Sequence, residues 1–197
     1  MGLGALLLYI LGLIVLFGVK SAVQYRTTGS TGFRGVSGRP LSLEWWGGVL
    51  FVVALVLGLA GCVLAVQDRW QIDSPAWMPY VGVVLAVVGF ATTLAAQLQM
   101  GTSWRIGVNS DESTELVSSG MFRWVRNPIF SAMTLALIGI AGMVPSIVSV
   151  LAVLVLIAAV QIQVRAVEEP YLLATHGDSY ADLQARTGRF LPKLGGR

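Results

Sequence analysis

Two groups of residues carry most of the chemistry this sequence offers. The first is the stretch from Thr114 to Ser131, TELVSSGMFRWVRNPIFS, which turns from polar to aromatic and basic and then breaks at Asn127-Pro128. Proline suits the first turn of a helix, where its missing N–H costs nothing. The unpaired N–H groups of such a turn favour an anionic ligand group, and Arg123 and Arg126 add positive charge beside it. The second group is Gln161, Arg165, Glu168 and Glu169. On an α-helix, spacings of three and four residues place Arg165 beside both carboxylates. Each group also has an ordinary reading: snorkelling arginines that anchor a membrane protein, and an interfacial ion pair.

The elements that position them are set by composition. Of 197 residues, 55% are hydrophobic and 12% charged, with a mean hydropathy of +0.76. That charge content is about half of the ~25% usual in soluble domains, and it points to an all-α integral membrane protein. About 20 apolar residues span a bilayer as a helix. Three such runs are Leu3 to Val19, Trp45 to Val66 and Trp77 to Leu98. Between Arg126 and Arg165 lie 38 uncharged residues with Pro145 near the middle. That is two spans in a tight hairpin, Pro128–Val144 and Ser146–Val164. The spacing therefore predicts a bundle of five transmembrane helices. The first run is not a signal peptide by this reading, since no positive segment precedes it and Lys20 follows it. Beyond the last span, Pro170 to Thr175 and Asp178 to Thr187 read as short helices, broken at Gly177 and stopped at Gly188.

Twelve Lys/Arg fall in the segments 20–44, 99–127 and 165–197, against Arg69 alone on the other side. The positive-inside bias places the N-terminus outside and the C-terminus in the cytoplasm. Segment 20–44, rich in Gly, Ser and Thr, reads as a flexible or surface-lying loop. Trp45, Trp46, Trp70 and Trp77 sit at span ends as interfacial anchors do. Ala54, Gly58 and Cys62 repeat at four-residue spacing, which lets helices approach closely. The chain divides into three N-terminal spans, 1–98, and a core of loop, hairpin and tail, 99–197. One cysteine and one histidine, His176, exclude a disulfide within the chain and a Cys or multi-His metal site, so no metal is expected. The scattered basic residues give nucleic-acid binding little support. The lone His176 reads as structural, and Tyr180 as tail packing.

The order LVSSGMFRWVRNPIF, then Glu168-Glu169, then HGDSY resembles the isoprenylcysteine carboxyl methyltransferase and phospholipid methyltransferase family. That family carries a Leu-Val-x-x-Gly-x-Tyr-x-x-x-Arg-His-Pro-x-Tyr motif, an acidic pair and a late Gly-x-x-Tyr. The resemblance covers Ser103 to Pro192. It implies an S-adenosylmethionine site at the cytoplasmic face. Thr114, Glu115, Leu116 and Val117 fall on the segment that lines it, and Phe122 takes the place of a family aromatic. Asn127, Pro128, Ile129 and Phe130 occupy the His-Pro-x-Tyr position. Glu168 and Glu169 match the acidic pair, with Glu168 on the cofactor and Glu169 at the chemistry. Arg165 resembles the arginine that faces the substrate's carboxylate. Two departures from the motif matter: Asn127 replaces His and Phe130 replaces Tyr. Asn can still donate to a cofactor carboxylate, while Phe loses the hydroxyl.

The expected function is methyl transfer to a lipophilic acceptor drawn from the bilayer, prenylated or otherwise. Arg165 favours isoprenylcysteine-type carboxyl O-methylation. Phospholipid or small-lipid N-methylation is the alternative within enzymes, with a membrane reductase more distant. A non-catalytic scaffold or transporter is the alternative outside them. A transporter should show polar groups in mid-span, and the spans offer mainly Thr92, Thr93, Gln97, Thr134 and Ser149.

Overall fold

The computed structural model describes residues 1–32, 35–36, 38–104 and 116–193. Its helices are α1 (Gly2–Thr28), α2 (Leu43–Val66), α3 (Met78–Gln99), α4 (Pro128–Met143), α5 (Ile147–His176) and α6 (Asp178–Arg186). Four of them, α1, α2, α3 and α5, are long and apolar enough to cross a membrane. The fifth apolar helix, α4, has 16 residues, or ~24 Å at 1.5 Å per residue. Among the described residues no strand forms, and the chain is an all-α membrane bundle.

Local sequence explains most boundaries. Ser42 accepts from the Trp45 N–H at 3.2 Å and starts α2. Ser146 and Ser149 cap each other reciprocally at the start of α5, just after Pro145. The hairpin expected from Pro128 to Val164 is therefore formed, with its turn at Pro145.

Two boundaries differ from expectation. The first helix does not stop near Val19 but continues to Thr28, where Gly29 at φ 72° ends it by donating to the Tyr25 carbonyl. No proline or glycine interrupts residues 19–28, so the first part of the expected loop is helix, with Lys20 and Gln24 buried. Lys20 Nζ donates to Gln24 Oε1 at 3.3 Å and stands 5.0 Å from the Trp104 ring, tying α1 to the segment after α3. At the other end, α5 runs on past the expected end of the span at Val164 to His176 and stops at the expected break, Gly177. Both of these helices are continuous through a π segment, Ile14–Val19 in α1 and Gln163–Glu168 in α5.

Packing follows the small residues. Helix α3 lies along α4 so closely that a Cβ at Gly89 or Gly139 would land on the backbone of Ala136 or Ala86. Helix α2 lies along α5 at Gly61 and Ser149. The stripe Ala54, Gly58 and Cys62 is buried, and Tyr9 of α1 fills the space over Gly58 and donates to the Leu55 carbonyl at 2.8 Å. Leu3, Val56, Val84 and Leu154 are exposed, an outward apolar surface suited to lipid tails.

Candidate active site

A cavity of about 520 Å³ opens at one end of the bundle, within the ~300–1,000 Å³ usual for small-molecule sites. All five apolar helices supply residues from the same end: Phe17 and Ser21 from α1, Phe51 and Leu55 from α2, Gln97 from α3, Pro128 to Phe130 from α4, and Gln163, Glu168 and Tyr171 from α5; α6 adds Tyr180 and Leu183. The π segments of α1 and α5 both lie here. Such turns shift the hydrogen-bond ladder and are frequent at functional sites. In α1 the Leu16 carbonyl accepts from Gln97 Nε2 at 3.2 Å. One wall is aromatic: Phe17, Phe51 and Phe130 meet edge to face, with ring centroids 6.4 Å apart at each step.

The polar side is built by the chain's tail. Arg126 donates through Nη1 to the carbonyls of Gln184 (3.2 Å) and Thr187 (2.6 Å), and through Nη2 to Glu169 Oε1 at 3.0 Å. Arg189 grips the same carboxylate with a fork, Nε to Oε1 at 2.8 Å and Nη2 to Oε2 at 2.7 Å. That bidentate bond raises the Arg189 guanidinium above its ordinary pKa. The backbone N–H of Arg126 donates to Gly188 and that of Asn127 to Arg189, at 2.9 and 3.1 Å. Ser131 Oγ donates to the Phe190 carbonyl at 2.7 Å. The tail is thus strapped across the start of α4. Burial pushes the Tyr180 phenol up, so it stands at the cavity as a neutral hydroxyl.

The expected site residues divide into three sets. Leu116, Val117, Phe122, Asn127, Pro128, Ile129, Phe130 and Glu168 are brought together around the cavity. Thr114 and Glu115 lie outside the described residues. Arg165 and Glu169 do not line the cavity. The Arg165 side chain is exposed and its Nε donates to Gln161 Oε1 at 2.7 Å. The spacing that set it beside the carboxylates was read on an α-helix, whereas residues 163–168 are wound as a π-helix. Glu169 is buried behind the cavity with both oxygens on guanidinium groups. The Asn127 amide, expected to donate to a cofactor, gives one of its two N–H groups to the Arg189 carbonyl at 3.1 Å. Tyr180 both packs the tail, 2% exposed, and reaches the cavity.

Arg189 is absent from the residues expected at the site, and Gln97 figures only as a mid-span polar group. Gln97 carried one signal, a long amide in an apolar run. Three other mid-span polar groups spend themselves on nearby backbone: Thr93 on Gly89, Thr134 on Phe130, Ser149 on Val144. Gln97 reaches another helix, and its Oε1 is buried without a partner among the described residues. The same is true of Arg126 Nε. A cavity that pairs aromatic walls with a buried, partly unpaired arginine and a carboxylate fits a ligand with an aromatic ring, an acid group and a cationic centre.

None of the curated proteins compared with the chain matches it. The model of the phospholipid methyltransferase family matches residues 77–179, just over half of the chain. That stretch runs from the start of α3 to the first residues of α6 and contains Gln97, Arg126, Glu168 and Glu169. The chain belongs to the phospholipid methyltransferase family and is a membrane-embedded enzyme that takes its methyl group from S-adenosylmethionine.

Proposed function

We propose that the chain methylates an amine on a lipid-like acceptor at the cytoplasmic face of the membrane. The observation that carries this reading is the placement of two charges: Glu168 lines the cavity and Arg165 does not. A carboxylate acceptor would be repelled by Glu168, whereas an ammonium group is attracted by it. The unpaired Gln97 Oε1 also suits a hydrogen-bond donor. The family's printed description, phospholipid methyltransferase, points the same way.

Bound S-adenosylmethionine supplies an electrophilic methyl on a sulfonium, so the chain need not activate the donor. Arg126 and the first turn of α4, which no side chain caps, would hold the cofactor's carboxylate. Phe122 and Tyr171, which line the cavity with Leu116 and Val117, would take the adenine. Glu168 accepts the proton that an ammonium must lose before its nitrogen lone pair can attack. Aligning donor and acceptor is the larger share of the work, because proximity alone removes much of the barrier. The aromatic wall from Phe17 to Phe130 takes the acceptor's apolar part. Arg165 is assigned no part.

The test uses detergent-purified protein and S-adenosylmethionine labelled in the methyl group. It is offered phosphatidylethanolamine or a farnesylated cysteine, and the product is treated with base. Methyl esters release labelled methanol, and N-methyl groups do not. Base-stable label in the phospholipid is the expected result. Label confined to base-labile farnesylcysteine would replace amine methylation with carboxyl methylation.

The twelve-to-one charge bias supports the orientation, with the cavity end cytoplasmic. Asp73 and Asp182 are both exposed, at opposite ends of the bundle. Cysteines placed there should label from opposite sides in sealed vesicles, the second only from the cytoplasmic side. Labelling of both from one side would sink the orientation.

A further inference from the structure

Three charged side chains meet behind the cavity, and their sum decides what faces it. Glu169 carries one negative charge and is shared between Arg126 and Arg189, at 3.0 and 2.7 Å. With two guanidiniums and one carboxylate the cluster keeps a net positive charge. Without Arg189, Glu169 would neutralise Arg126 and the cluster would present nothing to an anion. The Glu169 and Arg126 side chains are 10% and 9% exposed, so solvent screens this balance weakly.

We propose that Arg189 is a positioning residue for the cofactor: by occupying Glu169 it leaves the charge of Arg126 available to the carboxylate of S-adenosylmethionine. This rests on the reading that Arg126 faces that carboxylate. Arg189 lies beyond the stretch that the family model matches. Its place is fixed by backbone, since the Gly188 and Arg189 carbonyls accept from the Arg126 and Asn127 N–H groups. Changing the side chain therefore alters the charge balance while that pairing persists.

The experiment is calorimetric binding of S-adenosylhomocysteine and of 5′-methylthioadenosine, which lacks the amino-acid end, to the full chain. Arg189→Gln is expected to weaken S-adenosylhomocysteine about tenfold and to leave methylthioadenosine unchanged. The double variant Glu169→Gln with Arg189→Gln restores the net charge and is expected to regain most of the lost affinity. A purely structural bond would give the opposite result, since the double variant removes more of it. Arg189→Lys, which keeps the charge without the fork, should stay near wild type, and it decides the matter if Arg189→Gln loses both ligands. Unchanged S-adenosylhomocysteine affinity in Arg189→Gln, a double variant as weak as the single, or a Lys variant as weak as Gln would each overturn the proposal. A wild-type protein that binds neither ligand would instead overturn the cofactor-site reading on which it rests.

Discussion

Arg126→Met is expected to reduce methyl transfer below detection and to weaken S-adenosylhomocysteine binding about 10- to 150-fold. That range corresponds to the ~1.5–3 kcal/mol of a hydrogen bond to a charged group. The side chain has two roles, and both are lost. Toward the cavity it is the buried cation in the lining. Away from it, its two Nη atoms hold the Gln184 and Thr187 carbonyls and one oxygen of Glu169. Glu169 keeps its fork from Arg189 in the variant, so the carboxylate is not stranded and the fold should survive with a lower melting temperature. Arg126→Lys keeps the charge but cannot reach all three partners, and should fall between the two. Calorimetry and thermal unfolding in detergent separate the roles. Wild-type ligand affinity in Arg126→Met would remove Arg126 from the cofactor site.

The largest loss of stability is expected from Gly139→Leu. A Cβ at this position would overlap the backbone of Ala86 on the facing helix, and backbone cannot rotate away as a side chain can. Overpacking typically costs about 1–3 kcal/mol, and a clash with backbone belongs at or above the top of that range. The α3–α4 pair would have to separate, moving Gln97 and Asn127 apart and opening the cavity they share. Cofactor binding should fail together with the fold, unlike in the Arg189 variants. Gly4→Leu is the control, because nothing lies within 4 Å of its Cβ. Melting temperatures of Gly139→Leu and Gly4→Leu within a degree of each other would contradict the close approach of α3 and α4.

Some of this was legible in the residue string because the physics behind it is local. A bilayer admits few charges, so uncharged runs mark spans whatever their neighbours are. Proline lacks an N–H, so Pro128 opens a helix and Pro145 turns a hairpin wherever they stand. Small residues at four-residue spacing marked the α2 face that Tyr9 covers. The motif around Asn127-Pro128 sits on one short segment, and its lining residues, Phe122 to Phe130, were found together for that reason.

What the string did not decide is where each charge ends up. Arg165 looked adjacent to Glu168 and Glu169 because the spacing was read on an α-helix. The π turn over Gln163–Glu168 changes that angular spacing, and its hydrogen-bond shift leaves no mark in hydrophobic periodicity. Glu169 is claimed by Arg126 from 43 residues earlier and by Arg189 from 20 residues later. The Asn127 amide is taken by a carbonyl 62 residues away, and Gln97 by one 81 residues away. The sequence alone determined which segments enter the membrane and which motif lies at their end, since apolar content and backbone chemistry act within a few residues. Only the tertiary structure decided which carboxylate faces the cavity and which is held behind it, because a buried charge takes whichever partner the folded chain brings within about 3 Å.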